Sequence, residues 1–185
     1  IKILKYSDEI KFLKAIKTSQ CYHATKFILY TGLRRGECLG LIWKNIDFEK
    51  NTITINQQYN HTTKKITTPK RTIPILPQAM EVLQELSQQE HKQDDFIFTG
   101  VNRLTSQLIS HSKKFNDFKV NPHMLRHTFA SRCYFTGIDP KHIQTLLGHE
   151  SITTTLDTYT HVLEQEDKKI IEKMKEFFKS INLIN

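Results

Sequence analysis

The chain has 185 residues, 38% of them hydrophobic, and a formal net charge of +8; that length makes one large domain or two small ones and buries roughly two-thirds of the unfolded surface. No signal peptide opens it, no apolar run approaches the length of a membrane span, and Cys21, Cys38 and Cys133 stand singly with no C-x-x-C pair, which gives little support to a disulfide framework or a cysteine zinc site. The positive charge favours an anionic partner, most simply nucleic acid, and the lone cysteines are expected as buried thiols in a reducing compartment.

Ser7 is expected to cap a first helix with Asp8 and Glu9 in its first turn and Ile10, Leu13 and Ile16 as its apolar stripe. Cys21 to Tyr30 reads as a second, largely buried helix that Gly32 breaks. Arg35 to Ile42 restarts as a short helix with Leu39 and Ile42 inward. A β region follows: Thr52 to Tyr59, then a weaker strand over Ile66 to Thr68, then Thr72 to Leu76. Pro77 suits the first turn of a helix running to about Gln89. His91 to Asp95 is a polar loop, Phe96 to Phe98 a short apolar run, and Leu104 to Phe115 a helix.

Asn121 caps the next helix, with Pro122 at its first position and Gly137 at its end. Asp139 and Pro140 repeat the start signal and Gly148 the stop. Ser151 caps a short helix leading to Tyr159. Glu164 to Ile181 is a final amphipathic helix with Ile170, Met174, Phe177 and Phe178 on one side. The fold class expected is mainly α with one small antiparallel β-sheet, α+β.

His123 and Arg126 are three apart near a helix start, so they share a face where backbone N–H groups already favour an anion. His127 is their neighbour, read as a packing residue in support. His149 follows the stop at Gly148 and so lies in a loop. Arg34 follows Gly32 at a helix start, and Glu37, three residues on, can brace its guanidinium; Arg35 is read as solvated or facing a DNA backbone. Two arginines, two histidines and Tyr159 suit metal-free attack on a phosphodiester. The arginines hold the non-bridging oxygens, the histidines donate hydrogen bonds or move protons, and the tyrosine hydroxyl is the nucleophile.

The segments TGLRRGE, PHMLRHTFA, LLGH and TTTLDTYTH stand in the order and spacing of the boxes of the tyrosine recombinases, the phage integrase family. The chain resembles their catalytic domain over nearly all of residues 1–185, in the form found on Gram-positive mobile elements. The resemblance implies that Arg34, His123, Arg126 and His149 hold and polarise the scissile phosphate and that Tyr159 attacks it. A 3′-phosphotyrosine link and a free 5′-hydroxyl result, which a second strand's hydroxyl reverses, with no metal, ATP or other cofactor. The implied partner is double-stranded DNA. A tetramer is implied on the DNA and a monomer when free, in the bacterial cytoplasm and on the nucleoid when bound, with no membrane contact.

The family also uses a hairpin lysine as general acid. A family pattern of PKT, polar residues and RTIP favours Lys70, with the hairpin tip shortened or missing between Lys70 and Arg71. An ungapped count back from Pro74 favours Lys65. Lys70 is the choice here and Lys65 the alternative. The family's N-terminal DNA-clamping domain is not expected within residues 1–185, and the chain, which opens at Ile1, is expected to be part of something longer. The competing readings are a helix-turn-helix regulator built on the helices around Gly137, a type IB topoisomerase-like enzyme that relaxes DNA, and a metal hydrolase, for which no H-E-x-x-H motif is present.

Overall fold

The computed structural model describes residues 3–60, 64–101, 103–115, 119–151 and 153, with only the backbone described for Asn60 and residues 64–69. In chain order it builds helices α1 (Tyr6–Ala15), α2 (Tyr22–Thr31) and α3 (Arg35–Leu39), then strands β1 (Ile46–Asp47), β2 (Thr52–Asn60) and β3 (Lys64–Pro74). Helices α4 (Pro77–Ser87), α5 (Leu104–Ser112), α6 (Pro122–Phe135) and α7 (Pro140–Leu147) follow. The mainly α fold with a small antiparallel sheet is as expected.

Helix α2 is the hub. It packs on α3, α4 and α6, and its Phe27, Ile28 and Leu29 are buried with Phe12, Ile16, Leu41, Ile53, Ile55 and Leu83. A second, smaller cluster of Phe129, Ala130, Cys133, Ile143 and Leu147 joins α6 to α7. Proline opens three of the helices: Pro77 in α4, Pro122 in α6 and Pro140 in α7. The missing N–H of proline costs nothing there. Asn121 and Asp139 cap α6 and α7 as expected, their side chains accepting the backbone N–H of Met124 and Lys141.

Three expectations are corrected. Ser7 does not cap α1, which begins at Tyr6 after Lys5 with no side-chain cap. Its inner face is Glu9, Phe12 and Ile16, while Ile10 is 50% exposed. The stripe was misread because a carboxylate takes an inward position: Glu9 is buried, accepts from the Tyr30 hydroxyl at 2.6 Å and pairs with Arg132. Helix α3 stops at Leu39, and Ile42 instead forms a β-bridge to Phe96.

The sheet also differs. Its order is β1-β2-β3, all antiparallel. The two short strands expected at 66–68 and 72–76 are one strand, β3, and β1 went unseen because it is only two residues long. Ile53 pairs with Ile73 and Ile55 with Arg71, whereas Gln57 pairs with Thr67. Residues 68–70 therefore bulge opposite Asn56, and Pro69, which has no N–H for a ladder, falls in the bulge. The chain runs unbroken through Lys70 and Arg71, so no hairpin tip lies between them.

Candidate active site

The site forms where α2, α6 and α7 meet. Helix α2 ends at Gly32, in the left-handed region at φ +67°. A Cβ there would lie 2.4 Å from Phe129 Cδ1 and 2.8 Å from Leu147 Cδ2, so only glycine lets the chain turn this close to α6 and α7. Two residues later Arg34 caps α3. Its backbone N–H donates to Glu37 Oε2 at 2.9 Å, the returning half of a capping box. Its Nη1 donates to Glu37 Oε1 at 3.1 Å and its Nη2 to the Gly148 carbonyl at 2.7 Å.

Two more guanidiniums converge on the same end of α7. Arg126, 5% exposed, donates from Nη1 to the Gly32 carbonyl and from Nη2 to the Leu147 carbonyl, both at 2.8 Å. Arg71 donates from Nε to the Leu146 carbonyl at 3.2 Å. The last carbonyls of a helix have no partner within it and carry the negative end of its dipole. Here Leu146, Leu147 and Gly148 each receive one arginine. Gly148, at φ +66°, ends the helix, and a Cβ on it would lie 2.7 Å from Arg71 Cζ.

Glu37 is the counter-charge. It is 1% exposed, bonded bidentately by Arg71, bonded by Arg34, and 4.0 Å from Arg126. Burial alone would push its carboxyl up, but Arg71 first and then Arg34 hold it below the ordinary carboxylate range. Three guanidiniums gather around this one buried carboxylate. His149, next after Gly148, feels them. Burial, then Arg126 and Arg34, depress its pKa to about 4, so its imidazole is neutral at physiological pH. His127 is lowered too, by burial and then by His123 and Arg126, and its ring lies nearly parallel to that of His123 at 6.2 Å.

Two open cavities flank Arg34. One, of about 640 Å³, is lined by Arg34, Lys70, Arg71, Lys141 and His149. The other, of about 590 Å³, is lined by Arg34, Arg35, Asn121, His123 and Arg126. Both present cations and imidazoles at a helix end, a setting for an oxyanion. Among the described residues no group of three or more His, Cys, Asp or Glu side chains could hold a metal.

Of the expected residues, Arg34, Glu37, Arg126 and His149 meet around one point. His123 and Lys70 line the adjoining cavities, and His127 stands behind His123. Lys65 is paired with Tyr59 in the strand register. Tyr159, the short helix leading to it and the helix expected over Glu164 to Ile181 lie outside the described residues. The sequence reading missed Arg71. Its signal was a basic residue alternating with the core positions Ile73 and Ile75, which argues for a buried partner. The three cysteines are free and buried.

Comparison with known proteins points the same way. The model of the phage integrase family matches residues 2–166. The tyrosine recombinase XerC of Pediococcus pentosaceus is 34% identical over 82% of this chain and 52% of its own length. The transposase of transposon Tn916 from Enterococcus faecalis is 30% identical over 82% of this chain and 45% of its own length. The Tn1549 transposon integrase, solved in complex with transposon right end DNA, superposes with a TM-score of 0.72 at 25% identity, covering 94% of this chain and 66% of the solved one. The chain thus spans about half the length of the curated relatives it matches.

Proposed function

This chain belongs to the phage integrase family, and we propose that it carries the DNA strand-breaking and rejoining activity of a site-specific recombinase that integrates or excises a mobile element. One observation carries the reading: Arg34, Arg71 and Arg126 gather around the buried carboxylate of Glu37, beside His149, at a cavity that Lys70, Lys141 and Glu150 also line. A phosphodiester brings one negative charge, and the five-coordinate transition state of its substitution carries two. A cluster of cations gains more from the second charge than from the first alone, and that difference is what lowers a barrier.

In this reading Arg34 and Arg126 hold the non-bridging oxygens. His123 and neutral His149 hydrogen-bond them or move protons. The hydroxyl of Tyr159 attacks phosphorus, the bond to the 5′-oxygen breaks, and a hairpin lysine protonates that oxygen as it leaves. Tyrosine titrates near pH 10 when free, so the cations must favour its oxyanion. The free 5′-hydroxyl of another strand then attacks the 3′-phosphotyrosine and releases Tyr159. Lys70 is taken as the lysine because its side chain lines the cavity with Arg34 and His149. The unbroken course of β3 through Lys70 and Arg71 favours Lys65 as the second candidate, since it removes the gap that set Lys65 aside.

Double-stranded DNA is the proposed partner. The chain is taken to be a monomer when free and a tetramer on DNA, where two duplexes exchange strands. Among the described residues no helix is long and apolar enough to cross a membrane; a cytoplasmic, nucleoid-bound enzyme is proposed. The test is a nicked suicide DNA substrate with EDTA present. The expected result is a covalent protein–DNA band that Tyr159→Phe abolishes while binding DNA within about threefold of the parent. An adduct that persists in Tyr159→Phe removes the nucleophile assignment. Exchange between two duplexes then separates recombination from simple relaxation.

A further inference from the structure

We infer that Arg71 is a positioning residue for this strand cleavage: through Glu37 it orients the guanidinium of Arg34, and through the last turn of α7 it orients His149. The inference rests on the function proposed above and adds a residue to it. Arg71 is committed to the protein on every side. Nη1 and Nη2 grip Glu37 Oε1 and Oε2 at 2.8 and 2.9 Å, and Nε holds the Leu146 carbonyl. Its side chain is only 13% exposed. A group so engaged serves the phosphate through others.

Both routes are short. Glu37 passes the constraint to the backbone N–H and the Nη1 of Arg34. Leu146 lies three residues before His149, and the guanidinium fits against the bare Cα of Gly148 between them. The cavity that Arg71 lines with Arg34 and His149 is thus shaped by one side chain carried on the hairpin strand. The fork geometry is essential. A lysine ammonium cannot bond both carboxylate oxygens and a third acceptor from one plane.

The experiment uses the whole chain with Arg71→Ala and Arg71→Lys. Arg71→Ala is expected to bind DNA within about threefold of the parent yet cleave the suicide substrate about a hundred-fold more slowly, the scale for a misplaced site. Millimolar guanidinium ion, which can enter the vacated space, should restore about tenfold of that loss, whereas ammonium at equal ionic strength should not. Arg71→Lys should stay slow. A substrate with a 5′-bridging sulfur, which needs no general acid, should not rescue either variant. Cleavage near the parental rate in either variant, or rescue by the sulfur substrate, would overturn the inference.

A second readout needs no activity. The side-chain nitrogen resonances of Arg34 and His149 should both move in Arg71→Ala and in Arg71→Lys, and unmoved resonances overturn the inference. If the parent chain forms no adduct, the proposed function fails, and the resonances still decide whether Arg71 orders the two side chains. Should Arg71→Ala melt below the assay temperature, Arg71→Lys carries both readouts.

Discussion

Glu37 and Arg71 are joined by two parallel hydrogen bonds of 2.8 and 2.9 Å, one from each Nη to each carboxylate oxygen. Glu37 is buried and Arg71 nearly so, and the pair ties α3 to β3 at the edge of the cleft. Such a pair adds little net stability over an apolar one, but leaving one charge without the other is severe. Its value here is geometric, since it fixes two directions at once. The apolar core holds the helices together; this polar network decides where their functional groups point.

Arg34→Ala and Arg126→Ala should each slow cleavage about a hundred- to thousand-fold, the cost of removing one donor to a developing oxyanion. They should differ in stability. Arg126 is buried and satisfies the carbonyls of Gly32 and Leu147, so its loss strands them at a cost of about 1–3 kcal/mol. The side chain of Arg34 is 39% exposed, and its loss should cost less. Single-turnover cleavage with urea unfolding separates the two effects. Parental cleavage in either variant, or a strict need for added Mg²⁺, would count against the site.

The two lysines should separate sharply. Lys70→Ala is expected to lose cleavage on an ordinary phosphodiester and to regain it on a 5′-bridging phosphorothiolate, whose leaving group needs no proton. Lys65→Ala should show no such selective rescue. The reverse pattern would move the general acid to Lys65.

Acid should weaken the fold through His149. Unfolded, it titrates near its ordinary value of 6.5; folded, at about 4. Between those values the unfolded chain takes a proton that the folded chain refuses. The stability His149 contributes above pH 6.5 is therefore lost as pH falls toward 4. His127 acts in the same direction. Melting curves from pH 7 to pH 4 should fall more steeply for the parent than for His149→Gln. Superimposable slopes would show that the folded site does not disfavour imidazolium.

Removing the residues after Glu164 should spare cleavage of a single site more than exchange between two duplexes. The expectation rests on the helical spacing of Ile170, Met174, Phe177 and Phe178 in the sequence, whose apolar side would dock on a neighbouring copy. Tyr159 lies only five residues before Glu164, so docking there would also move the nucleophile. Equal loss of both activities with a lower melting temperature would mean that the segment belongs to its own domain's core.

Local signals were legible in the sequence. Asn121 with Pro122, Asp139 with Pro140, and the stops at Gly32 and Gly148 all act as their chemistry requires. Arg34 and Glu37 were readable because they sit three apart on a helix start. What stayed hidden depends on distant partners. Glu9 turns inward because Tyr30 and Arg132 await it. Arg71 finds Glu37 thirty-four residues away. The bulge at residues 68–70 joins what looked like two strands into one, through pairing with β2 that no local pattern announces.

The three arginines at the end of α7 carry one further consequence. They crowd around one buried carboxylate, so like charges stand side by side at the cleft. An oxyanion bound among them would offset that repulsion. Oxyanion binding and folding are therefore linked: sulfate or DNA should hold the chain together by quieting its own site, beyond whatever surface they cover.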